Sequence, residues 1–150
     1  MNGFDGVKLI DPTYYKHKNI HYIFGGIGIT ANYKISLWYL NSFFNDKFNP
    51  LSPIVTSPRG ARMGGNISVE KDRIIRFGQN YTTKYGNGLI IHEIEELIPT
   101  DYKEKEVDII KFKNRYGPHT INFHSNLTIY DFYDEKINIL SFFSKILNRI

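Results

Sequence analysis

Three stretches of the sequence decide the fold: residues 13–25 read TYYKHKNIHYIFG, residues 66–78 read NISVEKDRIIRFG, and residues 119–131 read HTINFHSNLTIYD. Each stretch has two short runs of β-branched and aromatic residues separated by a polar turn, which is the pattern of a β-hairpin. Each copy begins 53 residues after the one before, and its closing aromatic residue keeps the same place. A period near 50 residues is typical of propeller blades rather than of helical solenoids.

Further strand patterns lie between the hairpins. Residues 33–40 alternate between apolar and polar, residues 88–97 are apolar at first and then alternate, and residues 107–112 form another run. The 11 tyrosines and 11 phenylalanines favour strands, because such side chains suit a pleated and half-buried surface. The pairs Asn49-Pro50 and Ser52-Pro53 predict turns. A hairpin followed by two more strands predicts a four-stranded blade.

The predicted fold is therefore all-β: a partial β-propeller of about two and a half four-stranded blades with a C-terminal amphipathic helix. The helix is indicated by apolar residues that recur at helical spacing from Ile139 to Ile150. Because closed propellers have roughly four to eight blades, we expect either that another chain completes the ring or that the sequence is a fragment. The boundaries expected within a single domain, 1–150, are a blade at 7–58, a blade at 59–113, a partial blade at 114–136 and the helix at 137–150.

The composition narrows the function. The sequence has no cysteine, so disulfides, thiolate metal sites and a cysteine nucleophile are excluded. None of the five histidines lies in the predicted helix, where a metal-binding spacing would place two of them on one face, and we expect no metal and no cofactor. No apolar run approaches the roughly 20 residues that span a bilayer, and no signal-peptide pattern is seen, so a cytoplasmic location is expected. The charge of +4 is scattered, and residues 101–113 alternate in sign, which favours a solvated face and no nucleic-acid partner.

A more specific likeness runs through four strings: NPLSPIVTSPRGARMGGNI at 49–67, IIRFGQNYTTKYGNGLIIHEIEEL at 74–97, DYKEKEV at 101–107 and YGPHTINF at 116–123. Together they resemble the β-propeller domain that lies N-terminal to the glycosyltransferase in glucosamine inositolphosphorylceramide transferases. That domain is related in fold to the five-bladed arabinanase and xylosidase type of glycoside hydrolase. The shared features include Pro50, Pro53, Arg59, Arg62, Gly64, Gly65, Arg76, Gln79, Tyr85, Gly86, Tyr102, Glu104, His119, Thr120 and Asn122.

The resemblance implies a carbohydrate-related module associated with glycosyl transfer, which binds a glycan, a sugar phosphate or a glycolipid headgroup. Hydrolase-type propellers spread three carboxylates over their first three blades, so a complete catalytic site is not expected in this chain. Whether the chain is an enzyme is left open. The alternatives are a glycosidase or glycosyltransferase half-site completed by a partner chain, and a non-catalytic structural remnant.

The candidate binding residues follow from blade geometry. In a propeller the first strand of each blade lines the central channel, and Asp11, Arg62 and His119 stand at the start of the three repeats. Gln79 follows the closing strand of the second hairpin and offers both a donor and an acceptor. These groups could hold sugar hydroxyls or a phosphate. The structural alternatives are that Asp11 caps the turn before Pro12, Arg62 pairs with a neighbouring strand, His119 is a core histidine and Gln79 joins two strands.

Overall fold

The computed structural model describes residues 4, 6–40 and 49–133. Its regular structure consists of eleven strands and one short 3-10 helix at Gly28–Thr30. The strands are β1 (Leu9–His17), β2 (Ile20–Ile27), β3 (Lys34–Leu40), β4 (Asn49–Thr56), β5 (Arg59–Met63), β6 (Ser68–Glu70), β7 (Arg73–Asn80), β8 (Leu89–Ile98), β9 (Asp101–Ile110), β10 (Ile121–His124) and β11 (Leu127–Tyr130).

The strands form three separate antiparallel sheets. The first sheet has the order β1-β2-β3-β4, and the second has the order β5-β7-β8-β9 with the short β6 paired to β7. The third sheet, as far as it is described, is the hairpin β10-β11. The prediction of an all-β chain is confirmed, and so are the three hairpins, which are β1-β2, β6-β7 and β10-β11.

The hairpin turns explain why the repeat is visible in the sequence. Lys18 and Asn19 have left-handed backbones with φ of 46° and 63°, and Lys71 and Asp72 have φ of 49° and 68°. Two successive left-handed residues form the type of tight turn whose twist matches that of the flanking strands. In the third copy Ser125 also has a positive φ, of 50°. The polar spacer of each repeat is thus a short turn between paired strands.

The core lies between the sheets. Tyr22, Phe24, Ile35 and Leu37 of the first sheet are fully buried and form one apolar cluster with residues of the second sheet. Full burial of each such side chain stabilises the fold by about 1.5 to 3 kcal/mol. The second-sheet members of this cluster are Ala61, Met63, Ile94 and Leu97, with Ile67 from the segment after β5.

The opposite face of the second sheet packs on the third. Ile75, Phe77 and Leu89 form a cluster with Ile121, against which Phe123 also packs. The Phe77 and Phe123 rings lie 5.5 Å apart between centroids. The second sheet is therefore covered on both faces, and the three sheets stack in chain order.

The junction of the second and third sheets has a fixed register. Gly65 and Ile121 form a parallel bridge, and the Ile121 N–H donates to the Gly64 carbonyl at 2.8 Å. The Asn66 N–H donates to the Asn122 side chain at 2.9 Å, while the Phe123 N–H donates to the Asn66 side chain at 3.1 Å. Antiparallel sheets that stack in chain order are what the blade prediction requires. Closure into a ring, and the boundaries of the blades, stay predictions.

Two details of the sequence prediction need correction. The proline pairs at 49–53 do not make turns, because these residues belong to β4, which pairs with β3 at the edge of the first sheet. An edge strand tolerates proline because one row of its N–H groups has no partner in the sheet. The strand predicted at 107–112 is the end of the longer β9. The predicted helix at 137–150 lies outside the described residues. Among those that are described, none belongs to a helix with the length and apolar character that crossing a membrane requires.

Candidate functional site

Three of the four predicted binding residues form one hydrogen-bonded cluster. The Arg62 Nε donates to Asp11 Oδ2 at 2.6 Å, which joins the first sheet to the second. Gln79 Nε2 donates to the same Asp11 oxygen at 3.1 Å. Arg62 Nη1 donates to Asn32 Oδ1 at 2.9 Å and contacts the Tyr81 hydroxyl at 2.8 Å. We call these five residues the Asp11–Arg62 cluster.

The backbone at Asp11 aims its carboxylate out of the regular strand. The pairing of β1 with β2 shifts register between Ile10 and Thr13, and Asp11 has a left-handed φ of 47°. Such an irregularity turns a side chain away from the direction that the pleat would give it. Aspartate is one of the few residues that visit this conformation. The left-handed backbone is therefore found at Asp11, the residue that binds Arg62.

The Asp11–Arg62 cluster has one negative and one positive group. Burial by itself would lower the pKa of Arg62, but its hydrogen bond to Asp11 and the negative charge of that carboxylate outweigh the effect and raise the pKa. Burial raises the pKa of Tyr81, with the charge of Arg62 opposing. Tyr81 therefore keeps its proton near neutral pH, and the cluster offers hydrogen-bonding groups without net charge. Gln79 is 2% exposed, and its Oε1 has no partner among the described residues.

His119 lies near this cluster without a direct hydrogen bond to it. The centroid of its ring lies 4.5 Å from that of the Tyr85 ring, and the Tyr85 centroid lies 6.0 Å from that of Tyr81. His119 Nδ1 is 3.1 Å from Asp131 Oδ2, and the His119 N–H donates to Asp131 Oδ1 at 3.0 Å. Nε2 of His119 is buried and has no partner among the described residues.

Asp131 is held as an anion. Burial would raise its pKa, but the backbone hydrogen bond from Thr120 and the contacts with His119 lower it overall. The anion accepts from the Thr120 N–H at 2.5 Å. A carboxylate at Nδ1 favours the tautomer in which that nitrogen carries the proton, leaving Nε2 as an acceptor.

A polar cleft of about 370 Å³ opens where the three sheets adjoin. Among the described residues, its wall holds no lysine or arginine and one carboxylate, Asp11. The other polar groups in the lining are hydroxyls and side-chain amides, each of which can donate and accept. We call this space the junction cleft, and it is lined by Asp11, Pro12, Thr13, Tyr14, Met63, Gly65, Asn66, Thr120 and Asn122.

Four residues near the site are not among the binding residues predicted from the sequence: Asn32, Tyr81, Tyr85 and Asp131. Asp131 closes the third repeat, and Tyr81 follows Gln79 by two positions, so their places were visible in the repeat. Asn32 stands in an irregular connection before β3, and the sequence has no pattern that would connect it to Arg62.

A second charged cluster is buried inside the second sheet. Arg76 is fully buried and donates from Nε and Nη2 to the two oxygens of Glu104, at 2.7 and 2.6 Å. The Tyr102 hydroxyl donates to Glu104 Oε2 at 2.5 Å, and His92 Nδ1 lies 3.3 Å from Glu104 Oε1. We call Arg76, His92, Tyr102 and Glu104 the buried ion-pair cluster. It connects β7, β8 and β9, and we expect it to stabilise the second sheet.

The buried ion-pair cluster holds its groups in fixed protonation states. Burial and the neighbouring Arg76 cation lower the pKa of His92 to about 4, although Glu104 opposes them. Burial would raise the pKa of Glu104, but the charge and hydrogen bonds of Arg76 lower it overall. Burial raises the pKa of Tyr102. At neutral pH the cluster therefore contains a neutral imidazole beside an ion pair.

This arrangement predicts a fold that loses stability in mild acid. The unfolded chain takes up a proton at His92 near pH 6.5, whereas the folded chain does so only near pH 4, so lowering the pH through this window favours unfolding. We expect a loss of roughly 3 kcal/mol in the free energy of unfolding between these limits. Urea unfolding at a series of pH values measures it.

The controls for this prediction are two asparagine variants. His92→Asn should remove most of the pH dependence above pH 4.5, and His124→Asn, at an exposed position, should keep it. An unchanged pH dependence in His92→Asn would contradict the assignment.

In residues 4, 6–40 and 49–133, no group of three or more histidine, aspartate or glutamate side chains is placed to hold a metal ion. The fold and site together define an all-β repeat protein with a cleft at the junction of its stacked sheets, where one carboxylate lies among hydroxyl and amide groups.

Comparison with known proteins gives the family. Residues 6–131 match the model of the family described as glucosamine inositolphosphorylceramide transferase 1, N-terminal, and the chain belongs to that family. It is 29% identical over 108 residues to glucosamine inositolphosphorylceramide transferase 1 of Oryza sativa subsp. japonica, a match that covers 67% of this chain and 14% of the rice protein. The chain thus spans a small part of the length of that relative. No solved structure matches the chain.

Proposed function

We propose that this chain is a carbohydrate-binding module associated with glycosyl transfer, and that the junction cleft holds the sugar part of a glycan or glycolipid headgroup. The single observation that carries the proposal is the chemistry of that cleft: its described lining consists of hydroxyls, amides and one carboxylate, without a cation. Membership of the glucosamine inositolphosphorylceramide transferase N-terminal family supports it.

The contacts of Arg62 favour a sugar over a phosphate as the ligand of the junction cleft. Its guanidinium is already engaged by Asp11, Asn32 and Tyr81, so little of its charge is left for an anion. Sugar hydroxyls, in contrast, need paired donors and acceptors at fixed positions, and a carboxylate with neighbouring amides supplies both. Asp11 would accept from the sugar, and Arg62 and Gln79 would hold Asp11 in position.

The number of carboxylates in the junction cleft favours a binding role over hydrolysis. Glycoside hydrolysis uses a pair of carboxyl groups separated by about 5 to 10 Å across the bond that breaks. The lining of the junction cleft contributes one. A catalytic half-site is the second candidate, and the observation in its favour is the His119–Asp131 pair, whose orientation leaves Nε2 as a base. Under that reading His119→Gln would abolish a measurable hydrolysis or transfer, whereas under the binding role no activity is present to lose.

The test compares the wild-type chain with the variant Asp11→Asn. Binding of glucosamine and of myo-inositol, as separate probes, is measured by saturation-transfer NMR. We expect binding to weaken about tenfold, because the charge-assisted hydrogen bond from the probe to Asp11 becomes a neutral one and Arg62 loses its anionic partner. Unchanged affinity for both sugars would contradict the proposal.

Asp72→Asn is the matched control. Asp72, like Asp11, has a left-handed backbone, with φ of 68° against 47°, and asparagine tolerates this conformation as well as aspartate does. The two variants therefore change the charge and backbone strain equally, and they differ in the contact with Arg62. Asp72→Asn should bind both sugars as the wild-type chain does.

A further inference from the structure

Two loops at one end of the second sheet border another cleft, whose lining shares no residue with the Asp11–Arg62 cluster. Residues 81–88 connect β7 to β8, and residues 111–120 connect β9 to β10. The Gly117 N–H donates to the Gly86 carbonyl at 2.7 Å, and the Phe112 N–H donates to the Gly117 carbonyl at 3.1 Å. The space between these loops has a volume of about 660 Å³. We call it the basic cleft.

The lining of the basic cleft is strongly cationic. Lys84, Lys111, Lys113 and Arg115 contribute to it, together with the amides of Asn87 and Asn114, and no described lining residue is acidic. This separates the cleft from the junction cleft, whose lining has the opposite sign.

The lysines of β9 and of the loop after it fall into two groups. Lys103 and Lys105 pair with glutamates of β8, at 2.5 Å to Glu96 and 2.9 Å to Glu95. Lys111 and Lys113 are exposed, and within the described part of the chain neither forms an ion pair. Within residues 101–113, the lysines on β9 are therefore neutralised by glutamates of β8. The two lysines after β9 contribute positive charge to the basic cleft.

Aromatic rings place the other two cations. The Lys84 ammonium lies 3.8 Å from the centroid of the Tyr116 ring, and the Arg115 guanidinium lies 4.3 Å from that of Phe132. Tyr116 itself stacks on Tyr133 at 4.8 Å and 15°. A cation held over a ring face is partly removed from water and fixed in position. Binding of an anion therefore costs less side-chain conformational entropy.

We propose that the basic cleft binds a phosphate group, carried either by a soluble phosphorylated glycan or by the headgroup of an anionic lipid. Four cations around one concave space match the charge and the several acceptor oxygens of a phosphate better than a single carboxylate. The inference does not depend on sugar binding in the junction cleft, because it involves other residues and the opposite charge.

The test compares three probes with the wild-type chain: soluble glycerophosphoinositol, vesicles of phosphatidylcholine containing phosphatidylinositol, and vesicles of phosphatidylcholine alone. NMR titration follows the soluble probe, and co-sedimentation follows the vesicles. The double variant Lys111→Gln with Lys113→Gln should bind the anionic phosphoinositol probe about tenfold more weakly or worse, as expected for the loss of two cations near the ligand. Binding should also weaken with added salt, since exposed charges are screened.

The control is the double variant Lys8→Gln with Lys16→Gln, which removes the same charge from exposed positions on the first sheet. It should bind as the wild-type chain does, and equal urea midpoints for the two double variants establish that both are folded. Binding of the soluble probe identifies a free phosphorylated ligand as the source, and binding confined to the phosphatidylinositol vesicles identifies a lipid. Failure to bind either phosphoinositol probe, equal binding to vesicles of phosphatidylcholine alone, or an equal loss in both double variants would overturn the proposal.

Discussion

Replacing Glu104 by alanine is expected to destabilise the fold by roughly 3 to 5 kcal/mol, because it leaves the charge of Arg76 buried without its partner. Arg76 is 0% exposed, and both of its contacts with a carboxylate are made to Glu104. The Tyr102 hydroxyl loses its acceptor in the same variant. Urea unfolding measures the effect. Since a domain of this kind is stable by about 5 to 15 kcal/mol, Glu104→Ala should unfold at much lower urea or be unfolded already.

Glu106→Ala is the matched control for this prediction. Glu106 lies on the same strand and forms the same two-oxygen contact with an arginine, Arg59, at 2.8 and 2.5 Å. Its side chain is 39% exposed, whereas that of Glu104 is 9% exposed. Exposed ion pairs contribute little, so Glu106→Ala should shift the urea midpoint far less. Equal shifts in the two variants would contradict the structural role given to the buried ion-pair cluster.

Replacing Gly65 by alanine is expected to separate the third sheet from the second. Gly65 has a φ of 132°, which side chains rarely adopt, and a Cβ there would overlap the carbonyl oxygen of Ile121. The bridge between Gly65 and Ile121 would have to open, and the packing of Phe123 on Phe77 would be weakened with it. We expect a loss of at least about 2 kcal/mol in stability. Hydrogen exchange should show faster exchange at the amides of β10 and β11.

Gly28→Ala provides the comparison. Gly28 also has a positive φ, of 49°, but a Cβ there would meet nothing within 4 Å. The expected loss is about 1 kcal/mol, from backbone strain alone, with the exchange of β10 and β11 unchanged. Faster amide exchange in the third sheet of Gly28→Ala, or an unchanged exchange rate there in Gly65→Ala, would show that Gly65 does not control the docking of that sheet.

The parts of the fold that were predictable from the sequence are those fixed by local pattern. Each hairpin combines apolar alternation with a two-residue polar turn, and both features depend on neighbours along the chain. The prolines at 50 and 53 were misread because their meaning depends on where the strand lies. Proline ends a central strand but is accepted in an edge strand, and the position of β4 at the edge follows from the topology.

The candidate site was predictable only through the repeat. Asp11 and Arg62 are 51 residues apart, and their common place at the start of successive repeats suggested that they meet. The bulge that aims Asp11 at Arg62 has no pattern in the sequence beyond the following proline. The buried ion-pair cluster was missed because Glu104 stands among alternating charges that resemble a solvated face. Its burial depends on the register shifts between β8 and β9, which a periodic pattern does not show.

The most direct test of the proposed site is a map of sugar binding by amide chemical shifts, with the wild-type chain labelled with ¹⁵N and titrated with glucosamine and myo-inositol. The account predicts that the largest shifts fall together at the amides around Asp11, Asn66 and Asn122, which belong to three different repeats and line one cleft. Shifts confined to a single sheet, or none at the junction cleft, would contradict the claim that the stacked repeats build a carbohydrate site.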